Sequence, residues 1–116
     1  MNILKEEVGQ LLFLFARGRR TYDSYISDDN KFIYARILKE NNDDIKKLLK
    51  GVSHNFPRDV LEESVELIHH IDVWSELWVN LKSKTNPQLE DKFVFENKIN
   101  YPKLVEEKIR RFYLSL

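Results

Sequence analysis

The sequence contains no cysteine, which removes disulfide staples, thiolate nucleophiles and cysteine-based zinc sites together. Glycine and proline number only three each. A sandwich or barrel needs turn signals about every 8–12 residues, so this scarcity favours helices. Net charge is also missing, since 19 basic and 19 acidic residues cancel. Nucleic-acid binders draw much of their affinity from neutralised phosphates and ordinarily carry a basic excess. Only a local basic patch could serve that purpose here. No apolar run approaches the roughly 20 residues of a membrane span, so no membrane partner is expected. The apolar run 11–16 is short, follows Glu6 and Glu7, and precedes three arginines; a secretory signal is built otherwise. The expectation is a cytoplasmic protein.

What is present is a mixture of 42% hydrophobic and 33% charged residues in a chain of 116, enough for one core and one helical domain over 1–116. The first helix is expected from about Asn2 to Ser27. Leu4, Val8, Leu11, Phe15, Gly18, Tyr22 and Tyr25 recur at alternating steps of four and three, a coiled-coil-like seam. Gly18 lies on that seam, where the lack of a side chain permits close approach. Leu12, Phe13 and Leu14 lie off it, making the helix apolar nearly all round. Such a segment belongs in a bundle centre or at a subunit interface.

"SDDN" at 27–30 reads as a turn and an N-cap. The second helix then turns Tyr34, Ile37, Leu38, Ile45, Leu48, Leu49 and Val52 inward, with Gly51 as its left-handed C-cap. Polar "ENNDD" at 40–44 interrupts it, yet the phase continues, so one helix is expected. Pro57 opens a third helix ending near Ser83. Its stripe is the cleanest in the chain: Val60, Ser64, Leu67, Ile71, Trp74, Trp78 and Leu81. The 84–101 connection carries Phe93, Val94 and Phe95 and should pack back over the bundle, with room for a short fifth helix from Asn86-Pro87 to Phe93. Pro102 should begin the last helix. The fold expected is all-α, a four-helix bundle-like domain running up-down-up, with the last helix in either direction.

Three clusters could carry chemistry. Glu66-x-x-His69 has the spacing by which helices offer a carboxylate and an imidazole to iron in diiron bundles. Glu66, His69 and His70 are therefore the metal candidates, but no second such motif accompanies them, and both imidazoles are expected outside the core. His-Glu-x-x-His is absent. Arg58, the nearest upstream arginine, stands eleven residues before His69, unlike the Arg–His spacing of HEPN ribonucleases. Arg17, Arg19 and Arg20, followed by Tyr22 and Tyr25, could hold a phosphate backbone and stack on bases. Asp23, Asp28 and Asp29 close behind favour ion pairs instead. The acids Asp59, Glu62, Glu63, Glu66, Asp72 and Glu76 complement the third helix's dipole or face water.

No cofactor set is complete, so the function expected is a non-catalytic protein-interaction module: an inhibitor, immunity-type partner, adaptor or regulator. Aromatic residues, enriched at interface cores, make up 12% of the chain. Together with Leu12, Phe13 and Leu14 they predict a two-fold homodimer. The competing readings are a metal protein or enzyme using Glu66, His69 and His70, and a nucleic-acid module using Arg17, Arg19 and Arg20.

Overall fold

Asn2 starts the first helix, its side-chain oxygen accepting from the Lys5 N–H at 3.0 Å. The computed structural model describes residues 2–116 and contains four α-helices: α1 (Ile3–Ser27), α2 (Phe32–Val52), α3 (Arg58–Thr85) and α4 (Val105–Ser115). A single 3-10 turn, Ser53–Asn55, separates α2 from α3. Among the described residues no helix is long and apolar enough to cross a membrane.

α1 keeps one course through Gly18, as its seam requires, and buries Val8, Leu11 and Phe15. α2 likewise runs unbroken through "ENNDD". There Asp43 pairs with Lys39 at 2.7 Å on the outside, while Asn41 turns inward. α3 buries Val60, Ser64, Leu67, Ile71 and Trp78 of its expected stripe. It stops at Asn86, whose φ of 43° is left-handed, and Pro87 follows where a helix can no longer continue.

Several local expectations need correction. Asp29 and Asn30 make the turn with φ of 64° and 54°, but no side chain caps α2. The Asp28 carboxylate accepts instead from the Tyr34 hydroxyl at 2.8 Å. Gly51 stays inside α2, and no glycine takes a positive φ; the chain relaxes through the 3-10 turn, so a left-handed stop is unnecessary. The inward face of the first half of α2 is Phe32 and Ala35 rather than Tyr34 and Ile37. Trp78 fixes that rotation, its indole N–H donating to the Ala35 carbonyl at 3.0 Å. α4 begins at Val105, three residues after Pro102. No fifth α-helix forms between 86 and 93: the Asn86 stop turns the chain, and an extended course lets it pair with the start of α2.

Helix lengths explain the architecture. At 1.5 Å per residue, α3 spans about 42 Å and α4 only about 16 Å, against overall extents of 44 × 21 × 21 Å. α4 runs antiparallel to α1 and α3. Its start meets Arg19, and its end reaches Phe56, with ring centroids of Phe56 and Phe112 5.2 Å apart. The topology is therefore up-down-up-down. α4 closes one half of the bundle, where Val105 and Ile109 join Val8, Leu11, Leu49, Val52, Leu67 and Ile71 in the main core.

In the other half the 86–104 connection takes the fourth corner. Phe93, 1% exposed, forms a second core with Phe32, Ala35 and Trp78. Its ring lies 5.0 Å from Phe32 and 5.4 Å from Trp78, centroid to centroid. Backbone hydrogen bonds fasten this strap. The N–H groups of Phe32 and Ile33 donate to the carbonyls of Asp91 (2.8 Å) and Leu89 (3.0 Å), and the Phe93 N–H donates to Asn30 (2.9 Å).

Phe93→Ala should therefore destabilise the whole domain by about 3–5 kcal/mol, measured by urea denaturation. The neighbouring exposed Val94→Ala should stay within about 0.5 kcal/mol of the parent.

Candidate binding cleft

Because the strap is thinner than a helix, it leaves a cleft of about 810 Å³ between α1, α2, α3 and itself. α1 supplies Gly18, Arg19, Tyr22 and Tyr25, α2 supplies Asn41, and α3 supplies His70, Trp74 and Trp78. Phe93, Phe95 and Tyr101 come from the strap, and Glu106 from the first turn of α4. The walls are aromatic. The Trp74 and Phe95 rings sit 5.8 Å apart, and Tyr22 stacks on Tyr25 at 6.2 Å.

His70 is the clearest departure from expectation. It is 6% exposed and lies under the strap rather than in solvent. Its Nδ1 stands 2.8 Å from the Ile99 carbonyl, which accepts only, so Nδ1 carries the proton. Tyr101 meets the imidazole edge-on at 5.2 Å between centroids. The position follows from the helical wheel: His70 directly precedes Ile71 and sits four residues before Trp74, so any cover on that flank encloses it. Reading the flank as solvent-facing omitted the strap.

Tyr101 donates its hydroxyl to Glu106 at 3.1 Å, and the other oxygen of Glu106 accepts from Arg19. One carboxylate thus joins α1, the strap and α4. Although 41% of Tyr101 is exposed, burial pushes its phenol up to about 12, opposed by the nearby Arg19 charge. Burial also raises Tyr25, whose hydroxyl donates to the Phe93 carbonyl.

Asn41 is 1% exposed. Its amide N–H donates to the Leu14 carbonyl at 2.9 Å, and its Oδ1 is enclosed with no protein donor in reach. Gly18 makes room for it, because a Cβ there would lie 2.8 Å from the Asn41 amide nitrogen. The close approach expected at Gly18 is thus made by a side chain. Asn41 was missed because it stood in a polar run, yet its spacing of four before Ile45 and eight before Leu49 marks an inward position.

The remaining sequence candidates are scattered. His69 and Glu66 are exposed and His70 is buried. Among the described residues no group of three or more His, Asp or Glu side chains is placed to hold a metal ion. Arg17 reaches Glu40 (3.8 Å) and Asp44 (4.0 Å), Arg19 reaches Glu106, and Arg20 is exposed. Arg17 and Arg19 therefore serve different neighbours, and Arg20 faces solvent. Leu12 and Leu14 lean half-buried against the main core, whereas Phe13 is 67% exposed. The bundle-centre reading of 12–14 is thus corrected for Phe13: α2 and α4 flank α1, and its outer face stays open. A shallow groove of about 490 Å³ runs beside Phe13, lined by Glu7, Leu14, Asp44, Lys47 and Leu48 among others. The chain matches no protein-family model, no curated protein and no solved structure.

Two outcomes follow. In a spectrophotometric titration near 295 nm, Tyr101→Phe should remove a tyrosine step near pH 12. Since the folded state holds that proton more tightly, its contribution to stability is complete below about pH 10 and fades towards pH 12. For the Gly18–Asn41 pair, Gly18→Ala should destabilise the parent. In an Asn41→Ala background the same change should stabilise by up to about 1 kcal/mol, as read by thermal melts.

Proposed function

We propose that this protein is a non-catalytic binding module of the cytoplasm whose recognition surface is the aromatic cleft. One observation carries the reading: Tyr22, Ile26, Val94 and Tyr101, all exposed large apolar or aromatic side chains, line this one hollow. Apolar surface gathered around a concave site is the usual form of a binding site. The titratable groups beside it support binding over catalysis. Glu106 spends both oxygens on Arg19 and Tyr101, and His70 spends its N–H on a backbone carbonyl.

A second reading concerns assembly with another copy of the chain through the Phe13 groove. It is favoured by the exposure of Phe13 beside Leu14 and Leu48, with Glu7, Asp44 and Lys47 around them. A two-fold pairing could set Lys47 of each copy against acids of the other, as self-complementary interfaces require.

A fragment screen read by amide and indole NMR shifts tests the first reading. Hits should move the Trp74 and Trp78 indoles and the Tyr101 region; shifts confined to the Phe13 groove, or none, would contradict it. Light scattering tests the second. The parent should show a dimer at tens of micromolar and Phe13→Asp a monomer with an unchanged melting temperature, whereas a monomeric parent retires the pairing.

A further inference from the structure

We infer that the cleft takes a small organic cation, an apolar or aromatic body carrying a positively charged nitrogen, which the Asp23 carboxylate and the surrounding rings recognise together. This inference rests on the cleft being a binding site, as proposed above, and adds the chemistry of its occupant. A cleft of about 810 Å³ falls in the range of small-molecule sites, which are largely apolar with a few placed polar groups. The apolar lining suits the body of such a ligand. The sign of its charge follows from the ionisable groups.

Those acids and bases are Arg19, Asp23, His70 and Glu106. Arg19 and Glu106 form an ion pair, so their charges cancel. Asp23 stands one helical turn beyond Arg19 on α1, is exposed, and has no ion pair among the described residues. With histidine counted as neutral, the lining holds one negative charge in excess, on a chain whose formal net charge is zero. The excess is therefore local to this hollow. An anion entering it would find no free cation. An ammonium group would find a carboxylate that is open to solvent and claimed by no other charged side chain.

The rings favour the same charge. Tyr22, Tyr25, Trp74, Phe95 and Tyr101 line the hollow, and Tyr22 and Tyr101 are 51% and 41% exposed. The face of an aromatic ring is electron-rich and attracts a cation within about 6 Å of its centre. Trp78 already does so, with the Lys39 and Lys82 ammonium groups each 5.8 Å from its ring centroid. Neither lysine lines the cleft, so the lining keeps its negative balance. A neutral ligand of the same shape would gain the apolar contacts but not the attraction of the carboxylate. An anion would be repelled by it.

The test uses the protein's own fluorescence, since its two tryptophans, Trp74 and Trp78, both line the cleft. Phenylbutylamine, phenylbutanol and phenylbutyrate share one apolar body and carry a positive, a zero and a negative charge at neutral pH. The amine should change the tryptophan emission saturably and bind about fivefold more tightly than the alcohol at low salt, the factor for one exposed ion pair and one cation–ring contact. The carboxylate should bind most weakly, and added sodium chloride should narrow the gaps. Asp23→Asn, at an exposed position and with an unchanged melting temperature, should weaken the amine about threefold and leave the alcohol as it was. Alcohol or carboxylate binding as tightly as the amine would overturn the inference. So would an Asp23→Asn variant that keeps the amine's full affinity or loses the alcohol's equally. If the alcohol or carboxylate binds and the amine does not, the cleft remains a binding site and only its cationic occupant is discarded. If none of the three changes the emission, this inference fails, and the fragment screen decides separately whether the cleft binds.

Discussion

The first turn of α2 is where the structure is decided. A helix begins with N–H groups that have no partner within it, and the "SDDN" turn leaves those of α2 without a side-chain cap. The carbonyls of Leu89 and Asp91, more than fifty residues away in sequence, receive the N–H groups of Ile33 and Phe32. The strap is thereby held in register, and Phe93 is set between Phe32 and Trp78. Hydrogen bonding alone would be a modest gain at about 1 kcal/mol per bond. Coupled to a fully buried aromatic ring, it turns an extended connection into the fourth wall of the bundle.

The cleft is a consequence of that arrangement. A long fourth helix would bury the flank of α3 that carries His70 and Trp74, and the bundle would be solid. α4 covers less than half of α3, and the strap, with side chains alternating between core and solvent, covers the rest incompletely. Phe93 is buried, Val94 is exposed and Phe95 is intermediate, the period of two expected of extended chain. Around the opening, Glu106 ties Arg19 of α1 to Tyr101 of the strap. Aromatic walls and the charge compensation between Arg19 and Glu106 thus descend from a short last helix and the anchorage of its leader.

The helices were legible in the sequence because their information is local. The four-three seam of α1 and the stripe of α3 each depend on residues within a few turns, whereas Asn86-Pro87, read as the possible start of a further helix, instead marks the left-handed stop of α3. The unbroken course of α2 through "ENNDD" followed from phase alone. What was not legible depended on partners far along the chain. The rotation of the first half of α2 is set by Trp78, the capping of its N-terminus by residues 89–91, and the burial of His70 by Ile99 and Tyr101. Asn41 is the intermediate case: its spacing pointed inward, but its polarity argued outward. Only the glycine opposite it in space, eligible for close approach by its own seam position, resolves the conflict.

Amide hydrogen exchange tests the central claim most directly. If the strap is an integral wall, the amides of Phe32, Ile33 and Phe93 exchange only through global unfolding, as slowly as Leu49 and Leu67 in the helical core. Fast exchange at those three amides, with the helix interiors still protected, would show the strap to be a loose loop and would remove the basis for the cleft.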